Sequence, residues 1–274
     1  MNFDLNSLTI QGFCIPHLSE NRYIPVGGKL YSAQTLPLIL DFVNIVNNLD
    51  FNNKGVNDDL TGDTTIKILK NVRKMAYKLN SNHASSLGLH PILYFYSQDG
   101  RHRTVSFFAV VDFVMKLDER KELNNFIEVR EKFEEFLQKY DYLIKQIYEK
   151  YRDVQKSYKH ISKLFDQVVI HLKAGKTLDD TINELVSSED FKYLAVRNEI
   201  QSISSCTKEF NTNKKSEIYI RQALPGSPRC KICNGLIHRN SISIDHIQRK
   251  EDGGLATIDN GQITHPYCNT GYKN

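Results

Sequence analysis

Residues 229–274 read RCKICNGLIHRNSISIDHIQRKEDGGLATIDNGQITHPYCNTGYKN, and this stretch decides the fold of the C-terminal part of the chain. It opens with a C-x2-C pair, Cys230 and Cys233, and it closes with an H-x2-C pair, His265 and Cys268. Each pair can place two ligand atoms on one edge of a tetrahedral metal site. We therefore predict that the four residues hold a structural Zn²⁺. Buried thiols beside an incidental histidine are the weaker alternative.

Between the two pairs, residues Ile242–Ile247 alternate apolar and polar side chains, which predicts a short strand. Asp245 and His246 stand near its end and point to opposite faces, so the carboxylate is not simply the ion-pair partner of the imidazole. A carboxylate is a good ligand for a hard divalent cation. An imidazole, which can take up a proton near neutral pH, can activate water. Asn260 is expected to open the last helical segment, and Asn269 directly follows the final zinc ligand.

These residues resemble the HNH endonucleases, which have the ββα-metal fold. The family has a C-x2-C pair, an Asp-His at the end of a strand, an Asn, and a His or Asn immediately after the second zinc pair. Here His246, Asn260 and Asn269 give the H-N-N version, with the family's spacing of eight residues between the two asparagines. His265 stands where many members have a cysteine. The resemblance covers residues 228–274 and implies a small zinc-stabilised ββα-metal module.

The resemblance also implies a reaction, the metal-dependent hydrolysis of DNA phosphodiester bonds. His246 would act as general base, Asp245 and Asn269 would hold one Mg²⁺ or Mn²⁺, and Asn260 would orient the imidazole. The substrate would be DNA, most simply a duplex, with RNA as a distant alternative. A non-catalytic zinc module that binds nucleic acid or a partner protein is the rival hypothesis.

Basic residues are concentrated near this segment. The chain carries 26 basic and 26 acidic residues through residue 205, but 10 basic and 6 acidic residues after it. Arg239, Arg249 and Lys250 flank the predicted site, and we expect them to contact backbone phosphates, although exposed cations are common on any surface.

The residues before this segment predict a mainly α-helical domain over 1–205, followed by a linker at 206–227 and the module at 228–274. Residues 1–32 have no period and predict an extended arm, and apolar stripes at helical spacing continue to about residue 200. We expect one long helix from Asn125 to Arg152, a strand over Leu93–Tyr96, and a helix capped by Ser188. The helical domain is also the candidate surface for a protein partner or a homodimer.

A turn with the sequence DGRHR precedes a predicted buried helix at Thr104–Leu117. Arg101, His102 and Arg103 could bind phosphate at the start of this helix, and the turn faintly resembles the D-G-x-x-R turn of ParB-like nucleotide-binding domains. We favour the interpretation that this turn is purely structural. The helical region with the module is also similar to the C-terminal half of bacterial restriction-type HNH proteins, which implies a role in restriction or phage defence.

The composition points to a globular protein, since 40% of the residues are hydrophobic and 25% are charged. No apolar run reaches the length of a membrane span, and the first residues lack the pattern of a secretion signal. The odd number of cysteines, five, argues against a disulfide framework. We therefore expect a cytoplasmic protein that does not bind a membrane.

Overall fold

The computed structural model of the protein describes residues 35–49, 59–196 and 209–273. Their contacts form two compact units, one containing the residues up to 91 together with those from 227 onward, and the other containing residues 92–226 as far as they are described. These units do not follow the predicted boundaries, because residues 80–90 pack on the C-terminal segment. The predicted arm at residues 1–32 lies outside the described residues.

Among the residues described, the first unit combines two helices with a small sheet. Helix α1 spans Thr35–Val46 and helix α2 spans Asp63–Leu79. Strand β1 spans Ser243–His246 and pairs antiparallel with strand β2, Gly261–Thr264. A π-helical turn, Cys268–Tyr272, follows and contacts β1. The order of the C-terminal elements is therefore strand, strand and helical turn.

The second unit is built from helices. Their bounds are α3 Pro91–Tyr94, α4 Thr104–Glu119, α5 Leu123–Lys139, α6 Asp141–Tyr151, α7 Val154–Lys173, α8 Leu178–Ser187 and α9 Thr212–Ala223. Helix α4 is buried almost all round, as its apolar sequence predicts, and it packs mainly on α7. The rings of Phe113, Phe133 and Phe165 meet at centroid distances of 5.5 to 5.9 Å in the centre of this core.

A buried ion pair lies inside this aromatic core. Arg130 and Glu134, one turn apart on α5, are 0% and 1% exposed, and Arg130 Nε donates to Glu134 Oε1 at 2.8 Å. The hydroxyl of Tyr94 donates to the same carboxylate oxygen at 3.0 Å. Burial of two charges is tolerated only because each has a close partner. The pair therefore fixes α3 on α5.

Two sequence predictions for this unit are wrong. Leu93–Tyr96 is not a strand, because Pro91 begins the short helix α3 with a φ angle that suits a first helical residue. The long helix predicted from Asn125 to Arg152 is two helices, since Tyr140 leaves the helical conformation at φ −116° and ψ 21°. Arg103 binds the Asp141 carboxylate there, and this contact helps to start α6 separately.

Other predicted boundaries also differ from the structure. Residues 188–196 form turns and irregular chain rather than a helix. The predicted linker contains helix α9, which begins where the Asn211 side chain accepts a hydrogen bond from the Lys214 N–H at 2.9 Å. Asn260 ends a 3-10 turn and precedes β2, so it does not open a helix. Among the helices described, none has the length and apolar character needed to cross a membrane.

Candidate metal centre and nuclease site

The four predicted zinc ligands converge. One ligand atom from each of Cys230, Cys233, His265 and Cys268 lies within 4.8 Å of the others, and all four residues are buried. The first pair sits on a tight turn, in which the Cys230 N–H donates to Gly235 O at 2.9 Å. His265 directly follows strand β2, and the π-helical turn begins at Cys268. Local turns at both ends of the segment thus bring two distant pairs to one point.

The surroundings of the cluster suit a metal. His265 Nε2 lies 3.0 Å from Leu236 O, so the ring donates its proton there and leaves Nδ1, 3.4 Å from Cys233 Sγ, as the ligand atom. Hydrogen bonds from Cys233 and Cys268 lower the pKa of the Cys230 thiol far below its usual range, which favours the thiolate. Three sulfurs and one imidazole nitrogen are a donor set typical of structural Zn²⁺.

Asp245 lies on β1 as a nearly buried carboxylate. Its Oδ2 accepts hydrogen bonds from Gln262 Nε2 at 2.8 Å and from Lys273 Nζ at 2.6 Å. Burial by itself would raise the pKa of this carboxyl, but the bonds from Lys273 and Gln262 outweigh burial and lower the pKa. Asp245 is therefore held as an anion, the form that binds a divalent cation.

Asn269 approaches the same strand from the helical turn. Its amide nitrogen donates to Ser243 Oγ at 2.8 Å, and Ile244 O lies 3.4 Å from that nitrogen. The structure thus brings Asn269 to the strand that carries Asp245 and His246. The backbone of His246 pairs with Gly261, a residue that has no side chain to cover the strand at this register.

Asn260 holds the loop between the two strands. Its Oδ1 accepts from the Gln248 N–H at 2.7 Å, and its Nδ2 donates to Gln248 O at 3.2 Å and to Leu255 O at 2.9 Å. Its backbone O also accepts from the Ile247 N–H, next to His246. These bonds differ from the predicted direct orientation of the imidazole, since they act on the backbone of the loop.

The three flanking cations are exposed, as expected for residues that would meet phosphates. Arg239 precedes β1, whereas Arg249 and Lys250 lie in the loop that Asn260 closes. A β-carbon on Gly254 would lie 2.0 Å from Gln248 O, so this loop needs glycine to turn back so closely. The loop therefore presents two cations from a fixed backbone.

The side chains of the DGRHR turn bond and pack against neighbouring residues. Arg103 bonds Asp141 and Ser106, and Arg101 Nη2 donates to Asn213 Oδ1 at 2.7 Å. The His102 ring packs on Tyr96 at a centroid distance of 5.4 Å. The side chains of the turn are engaged in packing and hydrogen bonds within the second unit. These contacts favour the interpretation that the turn is structural rather than a phosphate-binding site.

Sequence reasoning missed the two partners of the Asp245 carboxylate. Gln262 lies directly opposite Asp245 in the strand register, which the sequence did not give because it did not locate β2. Lys273 lies beyond the motif and gave no signal. The segment at residues 80–90 was also missed, and it contacts β1 and the helical turn from a distant part of the chain.

Residues 230–274 match the family model described as HNH endonuclease. Together with the Cys3His cluster, this match identifies an HNH domain of the zinc-binding type in the C-terminal part of the chain. Such a domain indicates a nuclease or DNA-binding role in general. Searches of curated proteins and of solved structures returned no match to this chain.

Proposed function

We propose that the protein is a metal-dependent endonuclease that hydrolyses DNA phosphodiester bonds. The observation that supports this proposal is that Asp245 is held as an anion on β1, and that Asn269 donates to Ser243 on the same strand. A nuclease needs a cation ligand and a base, and β1 carries a candidate for each, since His246 follows Asp245 in the strand.

Each of the candidate site residues would have a separate role in this reaction. Asp245 and Asn269 would hold one Mg²⁺ or Mn²⁺, which would neutralise charge on the leaving oxygen. The imidazole of His246 would take the proton from the attacking water. Asn260 would keep the loop in place, and Arg239, Arg249 and Lys250 would bind backbone phosphates without reading sequence. The zinc ligands would stabilise the fold and take no part in the reaction.

The direct test uses the purified full chain with supercoiled plasmid and Mg²⁺ or Mn²⁺. We expect His246→Ala to lower the cleavage rate by about 10²- to 10⁴-fold, the usual contribution of a general base. His160→Ala is the matched control, because His160 lies on helix α7 of the second unit, where its ring stacks on Tyr151. Equal cleavage by the wild type and His246→Ala would refute the proposal.

The rival, a non-catalytic zinc module, has one observation in its favour. Asp245 Oδ2 already has two donors, which satisfy the carboxylate without any metal. Fluorescence anisotropy with labelled duplex DNA, run beside the cleavage assay, separates the two functions. Binding without cleavage by the wild type in either metal would support the rival, and single-stranded RNA in the same assay tests the alternative substrate.

We further propose that this activity serves restriction or phage defence in the cytoplasm, with the helical unit as the contact surface for a partner or a second copy. The similarity to restriction-type HNH proteins is the support for this role. Cells that express the chain should reduce phage plating, and cells that express His246→Ala should not. Light scattering on the purified chain measures whether it forms a homodimer.

A further inference from the structure

Residues 80–90 follow helix α2 and fold into a compact loop, which we call the brace. The Leu87 and Leu89 N–H groups donate to Lys78 O and Leu79 O at 2.7 and 2.8 Å, so the loop turns back on the end of the helix. Asn80 Nδ2 closes it with a bond of 2.8 Å to Leu89 O. Leu87 and Leu89 are buried. The brace is therefore a fixed part of the first unit.

The brace contacts the start of strand β1. The Ile242 N–H donates to Asn82 Oδ1 at 3.2 Å, and the hydroxyls of Ser86 and Ser241 share a hydrogen bond of 2.9 Å. Both of these serines are completely buried. Since β1 begins at Ser243, these two bonds hold the chain just before the strand that carries the candidate catalytic residues.

The brace also contacts the helical turn that carries Asn269. The Tyr267 N–H donates to Ser86 O at 2.9 Å, and Thr270 Oγ1 lies 2.8 Å from Ala84 O. Ser86 therefore bonds both elements, through its hydroxyl to the strand side and through its carbonyl to the turn. One short loop thus spans the two elements that must hold a metal between them.

A glycine lets the brace reach the zinc cluster. Gly88 has a φ of +60°, and a β-carbon there would lie 2.5 Å from His265 Cδ2 and 2.8 Å from Ser241 Oγ. The backbone thus lies directly against the ring of a zinc ligand, where only glycine fits without a shift of that ring.

We propose that the brace is an integral part of the nuclease module and that Asn82 and Ser86 are positioning residues, which set the placement of β1 relative to the helical turn. The zinc cluster fixes the second strand and the turn through His265 and Cys268, and Ser243 at the start of β1 pairs with Thr264, next to His265. The brace adds a constraint on Ser241 and Ile242, just before the strand, from outside the residues that match the HNH family model. This inference rests on the proposed function.

The test compares Asn82→Ala with Asn82→Asp in the full chain. A carboxylate at this position can still accept the Ile242 N–H, so the Asp variant should keep the wild-type behaviour. His160→Ala is again the control, because His160 lies on α7, outside the brace. Asn82 is exposed, so loss of its side chain should leave the unit folded.

We expect amide exchange over residues 241–246 to be about fivefold faster in Asn82→Ala, since one hydrogen bond of about 1 kcal/mol is lost. The affinity for Mn²⁺ and kcat should fall by a similar factor of about five, with KM for DNA unchanged. Gly88→Ala should release zinc to a chelator faster than the wild type. The inference is overturned if Asn82→Ala equals the wild type in exchange and Mn²⁺ binding, or if Asn82→Asp is equally impaired.

These readouts separate the two proposals. If the wild type cuts no nucleic acid, the proposed function fails, while amide exchange still decides whether the brace holds β1. If the wild type cuts DNA and the Asn82 variants change nothing, the brace proposal fails alone.

Discussion

The environment of Asp245 combines two opposite effects on one carboxylate. Burial disfavours its charge, whereas Lys273 and Gln262 favour it, and the net effect is a lowered pKa. The ammonium of Lys273 lies 2.6 Å from Oδ2, where a metal bound to that oxygen would also have to lie. A divalent cation that uses this oxygen must therefore displace Lys273.

This competition gives a prediction for Lys273→Met. Removal of the positive charge should increase the affinity of the protein for Mn²⁺ by about tenfold at neutral pH, because about 1.4 kcal/mol of competing attraction is lost. Mn²⁺ titration followed by electron paramagnetic resonance measures this affinity. Lys273→Arg keeps the charge and should bind Mn²⁺ about as the wild type does. A lower Mn²⁺ affinity of the Met variant would show that Lys273 supports the metal site.

At the scale of elements, the sequence predicted the parts of the module that depend on spacing and alternation. The zinc pairs and the strand at 243–246 follow from ligand spacing and a period of two, and the structure confirms both. The resemblance to the ββα-metal fold implied a second strand, but the sequence did not locate it, because Gly261–Thr264 is too short to show a pattern. The brace could not be predicted from the sequence. Its bonds to Ser241 and Ile242 join residues about 155 to 160 positions apart in the chain.

The helical predictions show the same limit. Apolar periodicity correctly predicted the buried faces of α4, α5 and α7, because each helix buries a stripe of apolar side chains. The break at Tyr140 was missed because the apolar stripe continues across it. There the chain departs from a helix while Asp141 binds Arg103, a residue nearly forty positions earlier. Tertiary contacts of this kind override local propensity.

Asn260→Ala tests the loop as an element. It removes the three side-chain bonds to Gln248 and Leu255, so we expect amide exchange over residues 247–260 to increase on the order of tenfold. Cleavage of DNA should fall as well, because the loop carries Arg249 and Lys250. Asp259→Ala, at the exposed neighbouring position, is the control and should exchange as the wild type does. Unchanged exchange in Asn260→Ala would mean that the glycines and the strand pairing hold the loop without this side chain.

At the scale of the molecule, the two units are stabilised in different ways. The second unit has a large aromatic core formed by α4, α5 and α7. The C-terminal part of the first unit has a two-stranded sheet, short turns and few buried apolar side chains. A sheet of this size is marginal in water on its own, so the zinc cluster must contribute much of its stability.

Removal of zinc should therefore affect the two units unequally. Treatment with a strong chelator should speed amide exchange across residues 227–273 and abolish cleavage, while the far-UV signal of helices α4 to α8 remains, because these helices contain none of the zinc ligands. Hydrogen exchange with mass spectrometry resolves the units in one experiment. Mg²⁺ alone should not restore cleavage to the zinc-free protein, whereas Zn²⁺ followed by Mg²⁺ should, since Zn²⁺ would rebuild the fold and Mg²⁺ would serve the proposed reaction. Full recovery with Mg²⁺ alone would contradict the structural role of the Cys3His cluster.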